Sequence, residues 1–516
     1  MISATEAPMA TSVSSTVGEV PAERRLYFVM LWAMIVSLIL PIWTVTIVPW
    51  ADLGDHLARS FIISNYQSVQ QFQRYFEVTP QPLPNLAIDV ILTPMLGFLA
   101  PLTAVRVFAS LSVLIFAAGC HVFGKAMHGC PSWLALPALF LFYNSLLLYG
   151  FVNYMWGIAL FLLTAAVWLA FEKKPTFGNG ALATLLATAT YFAHLSGFFF
   201  LCVFVGIFTA LNLFASRRLK LWHVLAFVPL VPALLAFISP KHNKGDTSLV
   251  LWATPREKLL HMWVLFSGYS TLMDAVTLVG MLAVGALVFR YGKPRMERRP
   301  LILSIALLLG FLLFPTFMQT GSDADTRFLL PFALTAVLGV SFTMPRQAGR
   351  ITFAVLLCLM MTRVTLMTWY WQRADRISVE QLALLDHMKD GAVVYPMIFL
   401  PHERTASKTR QQLMHLAGYA TVDRHAISGN TFAVAGQQLI SRRRPLWYNF
   451  VALETPVERI DWKSVLSEYD YVWAYNPPPA FDALLNSTSD SLERAGSGHL
   501  YHLNHNPPGA LGTPSQ

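Results

Sequence analysis

A chain of 516 residues that is 55% hydrophobic and 13% charged carries about half the charge of a soluble domain, where about 25% is usual. That composition excludes an ordinary water-soluble globule. The formal charge of +9 does not mark a nucleic-acid surface, because many Lys and Arg residues sit in short gaps between apolar blocks, as in membrane proteins.

In chain order, residues 1–25 are rich in Ser, Thr, Ala and Pro and read as a disordered cytoplasmic N-terminus. Eleven apolar blocks follow, at 26–48, 104–124, 132–149, 152–171, 180–193, 196–215, 221–238, 271–291, 300–318, 328–344 and 351–370. Each approaches the ~20 residues with which an α-helix crosses a bilayer. An odd count places the two termini on opposite sides. With the N-terminus inside, the inner gaps hold Arg24, Arg25, Lys125, Lys173, Lys174, Arg217, Arg218, Lys220, Lys293, Arg295, Arg298, Arg299, Arg346 and Arg350. The short outer gaps near Gly150 and His194 hold no Lys or Arg, which obeys the positive-inside rule. The longer outer loop at 239–270 departs from it, with Lys241, Lys244, Arg256 and Lys258.

The segment 86–100 is apolar but short and carries Asp89, Pro94 and Gly97. Counting it as a span would invert every later loop, so it reads as an interfacial or re-entrant helix. Cys120, Cys130, Cys202 and Cys358 lie in or beside apolar blocks without metal-ligand spacing, so no disulfide framework is expected. Trp43, Trp50, Trp252, Trp369, Tyr370 and Trp371 are expected at the membrane interfaces. After the last block, helix-like stretches at 379–388 and 481–485 alternate with strand-like runs at 392–398, 469–475 and 499–503. The expected fold is an all-α polytopic membrane domain at 26–370 with about 11 transmembrane helices. It has a first external loop at 49–103 and a C-terminal α/β soluble extracytoplasmic domain at 371–516.

Directly after the first block stands Pro49-Trp50-Ala51-Asp52-Leu53-Gly54-Asp55-His56-Leu57-Ala58-Arg59. If the segment is helical, Asp52, Asp55, His56 and Arg59 share one face. Carboxylates at a low-dielectric boundary have tunable affinity for protons and metals, which suits general acid–base work or a divalent cation. The plainer alternative is a charged turn in which Asp52 caps the helix. Further along, His194 falls at an outer break, as a substrate-binding group or a hydrogen-bonded structural histidine. Arg327 sits beside Asp323 and Asp325, where a guanidinium serves either a phosphate or a surface ion pair. Lys241 and His242, on the outer loop at 239–270, are further candidates to reach a lipid phosphate.

These residues carry a resemblance. The acidic motif after the first span is followed by Pro84-Asn85-Leu86, Gly97-Phe98, Ala104-Val105-Arg106-Val107 and Phe123-Gly124-Lys125, and later by Asp325-Thr326-Arg327-Phe328-Leu329-Leu330-Pro331. The layout resembles the GT-C superfamily of integral membrane glycosyltransferases, which includes protein O-mannosyltransferases and aminoarabinose transferases. One departure is the spacing Asp-Leu-Gly-Asp where many relatives have adjacent acids. The resemblance implies transfer of a sugar from a polyprenyl-phosphate donor to a lipid, glycan or protein acceptor. The reaction would take place at the extracytoplasmic face, and with no eukaryotic targeting signal in the sequence a bacterial inner membrane is the expected location. Asp52 is then the expected base, and Asp55 positions the acceptor or joins Asp52 in holding Mg²⁺ or Mn²⁺. His56, Arg59, His194 and Arg327 are the expected substrate-binding residues. Three rivals stand beside it: a flippase or transporter, for which repeated halves are missing, a glycan polymerase or ligase, which usually has its large loop between late spans, and a noncatalytic scaffold on the same frame.

Overall fold

The apolar blocks fold into helices because their backbone groups can be satisfied internally only in that form when water is absent. The computed structural model describes residues 21–238, 250–318, 322–399, 412–448 and 460–505. The chain begins with α1 (Pro21–Trp43), α2 (Leu53–Asn65), α3 (Gln70–Tyr75), α4 (Ala87–Met95) and α5 (Pro101–His128). Next come α6 (Ala135–Ala138), α7 (Ser145–Leu148), α8 (Val152–Lys173), α9 (Phe177–Ala193) and α10 (Leu195–Ser216). They are followed by α11 (Leu221–Leu225), α12 (Val231–Phe237), α13 (Pro255–His261), α14 (Thr271–Tyr291), α15 (Arg298–Leu313) and α16 (Leu329–Leu338). The last long helix is α17 (Arg346–Leu382), and α18 (Gly418–Arg424), α19 (Trp462–Glu468) and α20 (Pro479–Ser487) are short.

Among the described residues, 6 helices are long and apolar enough to cross a membrane: α1, α5, α8, α10, α14 and α17. The other five expected blocks are shorter or broken. Helix α9 has 17 residues, α15 has 16 and α16 has 10. The block at 132–149 is interrupted between α6 and α7. There Asn144 repairs the break, its Nδ2 donating to the Leu141 carbonyl while its Oδ1 accepts from the Leu147 amide. Prolines 229 and 232 interrupt the block at 221–238. Helix α4 has 9 residues, about 13 Å of rise, too short to cross.

The bundle has two chemically distinct ends. One gathers the N-termini of α5, α8 and α10 with the chain that leaves α1. There Arg106 Nη2 reaches the Thr46 carbonyl at 3.3 Å, Asp375 accepts from the Thr46 and Ile47 amides, and Tyr269 donates to the Pro49 carbonyl. The other end joins Glu172, Asn212 and Arg299 in one hydrogen-bonded group and places His128 against the Leu338 carbonyl at 2.7 Å. Exposed Lys173, Lys174, Arg217, Arg218, Lys220, Lys293, Arg295 and Arg298 lie on or beside the helix ends gathered there.

Helix α17 has 37 residues, roughly 55 Å at 1.5 Å per residue, so it runs beyond the bundle and leads into the C-terminal region. Among the described residues the strands are β1 (Phe76–Val78), β2 (Val250–Leu251), β3 (Arg295–Met296), β4 (Phe317–Met318), β5 (Val340–Ser341), β6 (Val393–Ile398), β7 (Ile427–Ser428), β8 (Ile440–Arg442), β9 (Tyr471–Tyr475), β10 (Ser489–Ala495) and β11 (Gly498–Leu503). The C-terminal sheet has the order β10-β11-β9-β6-β7, with β6 parallel to both β7 and β9, and β11 antiparallel to both β9 and β10. The three expected strand runs coincide with β6, β9 and β11, and the helical stretch at 481–485 lies inside α20.

The first loop is stitched to this region. Strand β1 pairs antiparallel with β8, Glu77 opposite Ser441. Ile62, Phe72, Tyr75 and Phe76 share one apolar core with Val393, Tyr395, Ile427 and Tyr469. The interfacial aromatic belt needs a correction: Trp50 and Trp371 are wholly packed inside the protein, while Trp43, Trp252 and Trp369 are exposed. Trp50 and Trp371 belong to the larger core beneath the acidic motif, where burial of a large ring contributes more than an interface position does.

Candidate functional site

Helix α2 begins where expected, and Asp52 occupies its N-cap position, yet its side chain accepts no capping hydrogen bond. The simple capping explanation for Asp52 is therefore incorrect. The carboxylate faces a partner from far along the chain instead. His415, in the turn before α18, places Nε2 3.4 Å from Asp52 Oδ1 and Nδ1 2.6 Å from Asp55 Oδ2. The Nδ1 approach is close but lies off the direction a hydrogen bond prefers, since both Asp55 oxygens lack a well-aligned donor. Asp55 is completely buried, whereas the Asp52 side chain keeps 18% of its surface exposed. The imidazole thus links an inner carboxylate to an outer one.

Two glycines make this approach possible. A Cβ on Gly54 would collide with the His415 carbonyl, and one on Gly418 would collide with the Gly54 carbonyl. The Leu-Gly between the two aspartates is the place where a second backbone crosses α2, so the spacing Asp-Leu-Gly-Asp has a packing cause. Gly150, at φ +99°, closes on the Asp52 backbone from the other side. The amide of Ala51 is bound to the Leu148 carbonyl at 3.0 Å.

His415 is itself held firmly. Its ring packs on Phe432 at 4.8 Å between centroids, and Asn430 Nδ2 lies 3.4 Å from its Nδ1. Asn430 is fixed by the Ser428 hydroxyl and the Met414 carbonyl. The electrostatics follow from burial and these neighbours. Burial pushes the Asp52 carboxyl up to about 6 against the pull of His415, with Asp55 adding to the rise. Burial disfavours charge on His415, but the Asp55 and Asp52 carboxylates outweigh it and raise its value above the usual histidine range.

The other expected site residues divide. His56 lies on the same turn, but burial and the Arg59 guanidinium hold it well below the ordinary histidine value, so it sits there as a neutral ring. Arg59 is consumed by a buried bidentate pair with Asp89 of α4, Nε–Oδ1 2.6 Å and Nη2–Oδ2 2.8 Å, and its Nη2 also meets His56 Nδ1 at 3.1 Å. It therefore braces α2 on α4. His194 caps α10 by accepting from the Ser196 amide and stands edge-on to Tyr154.

Arg327 lies 5.1 Å over the Phe151 ring and donates to the Ser322 carbonyl. Phe151 follows Gly150, so Arg327 and Asp52 border the same short loop. Its neighbour Asp325 is buried beneath Lys258 Nζ at 2.7 Å, with Thr316 and His261 beside it. That pair accounts for one basic exception on the outer loop, because Lys258 is neutralised inside the protein. Lys241 and His242 lie outside the described residues.

The donor set at Asp52 and Asp55 does not suit Mg²⁺ or Mn²⁺. Hard cations want several oxygens converging on one point, and the His415 ring stands between these two carboxylates. No set of three His, Cys, Asp or Glu converges as metal ligands among the described residues. Sequence reading missed His415 altogether, since a lone histidine in a hydrophilic stretch carries no local signal. No protein-family model matches this chain, and no curated protein matches it.

Proposed function

We propose that the protein is a GT-C-like membrane glycosyltransferase that moves a sugar from a polyprenyl-phosphate donor to a lipid, glycan or protein acceptor. The observation that carries this reading is the partly exposed Asp52 carboxylate, raised to about 6 and approached, like buried Asp55, by the His415 ring, at the end of the bundle that also holds Arg106 and Tyr269. A carboxylate of that kind is matched to removing the proton of a hydroxyl nucleophile near pH 7. In the proposed step the acceptor oxygen attacks the anomeric carbon as its proton passes to Asp52. The bond from that carbon to the phosphate oxygen breaks, and polyprenyl phosphate leaves with the electron pair. Arg327, whose buried Nε has no hydrogen-bond partner among the described residues, is the candidate to meet the leaving phosphate. No metal is used in this scheme.

The orientation proposed is a bacterial inner membrane with the basic end of the bundle cytoplasmic and the Asp52 end outside, because Lys and Arg concentrate at the former. The finer count of eleven spans, with short and broken segments completing the six long helices, belongs to the same proposal. Transfer of labelled sugar from polyprenyl-phosphate donors by the purified protein in lipid tests it. Asp52→Asn is expected to lower kcat by about 10²- to 10⁴-fold, the usual contribution of a general base, with melting unchanged. Full activity in that variant would remove Asp52 from the role.

A further inference from the structure

We propose that the C-terminal region completes the reaction centre by supplying His415 as the positioning residue of Asp52. This rests on the reading of Asp52 as the base. Three independent features of the fold carry it. The imidazole approaches both carboxylates of the motif with its two different nitrogens, Nδ1 on the completely buried acid and Nε2 on the partly exposed one. The line from Asp55 through His415 to Asp52 therefore runs from a completely buried carboxylate to a partly exposed one, the group that meets the acceptor. Next, Gly54 and Gly418 allow the His415–Gly418 turn to touch the α2 backbone directly, and any side chain at either position would displace it. Last, Phe432, Asn430 and Ser428 lock the ring from the C-terminal side. An imidazole packed in place by Phe432 and Asn430, with a buried carboxylate 2.6 Å from one nitrogen, presents its far nitrogen in a fixed direction, which is how orienting groups act on a reactive neighbour.

A structural ion pair and a positioning residue make different predictions. His415→Asn keeps an amide near the Nδ1 position for Asp55 but cannot reach Asp52. His415→Gln extends an amide toward the Nε2 position. In full-length protein in lipid, with a polyprenyl-phosphate sugar donor, His415→Asn is expected to lower kcat by about 10- to 100-fold, while KM for the donor moves less than about threefold. His415→Gln is expected to recover part of that loss.

A second readout needs no turnover: carbodiimide labelling of Asp52, followed by mass spectrometry, should speed up in His415→Asn and return toward wild type in His415→Gln. Wild-type kcat and unchanged Asp52 labelling in His415→Asn would overturn the proposal. So would a loss of kcat that tracks a lower melting temperature, with labelling unchanged and no recovery in His415→Gln. If the wild type transfers no sugar, the sugar-transfer reading falls while the labelling rates still decide whether His415 holds Asp52.

Discussion

Asp52 and Asp55 are the same chemical group three residues apart, and their surroundings give them different tasks. Asp55 has no exposed surface and faces His415 from within, so it cannot itself meet an acceptor. Asp52 is partly open and raised to about 6. The base form of Asp52 fills as pH rises through about 6, so the transfer rate is expected to climb there. His415 stays cationic above the usual histidine range and then loses its charge, so the rate is expected to fall again on the alkaline side. A kcat profile against pH checks this bell shape, whose two apparent values belong to the coupled group rather than to either residue. The stability signs differ from the catalytic ones. From Asp52 alone, folding stability declines as pH rises from the ordinary 3.8 to about 6, because the folded chain holds a proton that the unfolded chain releases. The His415 contribution is full at acid pH and is lost as pH rises through its raised value.

Helix α2 is placed by two contacts of opposite character. Toward α4 it presents the buried Arg59–Asp89 pair, with side chains 2% and 1% exposed. Removing one partner leaves an uncompensated charge, so Asp89→Asn is expected to destabilise the protein by about 3–5 kcal/mol. Replacing both with apolar residues of similar volume should cost far less, as thermal unfolding of the single and double variants would reveal. Toward α18 it presents bare backbone at Gly54. Gly54→Ala inserts a methyl group against the His415 carbonyl, with an expected cost of about 1–3 kcal/mol. The same change should depress transfer beyond what the stability loss explains, because it moves His415 away from Asp52. A variant with wild-type turnover and stability would mean that the crossing is looser than the geometry shows. The motif's helical face was legible from spacing, since Leu53–Asn65 is one helix. The partners on either side of it were not, because a helical period says which residues share a face and nothing about what packs against it.

At the scale of the molecule, the first loop and the C-terminal region behave as one unit joined by β1 and β8. Glu77 and Ser441 lie opposite each other in that pairing, with Cα atoms about 5.5 Å apart in a hydrogen-bonded antiparallel pair. A cysteine at each position is within disulfide reach. With the exposed Cys130 and Cys358 replaced, oxidation of a Glu77→Cys, Ser441→Cys protein is expected to cross-link it within one chain and leave transfer intact. Failure to cross-link would separate the two regions and remove His415 from the site.

Composition and the spacing of apolar blocks by themselves determined that the chain is a helical membrane protein with a mixed C-terminal region, because both signals are local and periodic. The same local signals located the acidic motif and the strands β6, β9 and β11. Only the tertiary structure decided that Arg59 braces α4, that Trp50 and Trp371 are core residues and that Asp52 caps nothing. It alone brought His415 between the two aspartates, since a contact between distant segments depends on how helices and strands pack and leaves no mark in the residues around it.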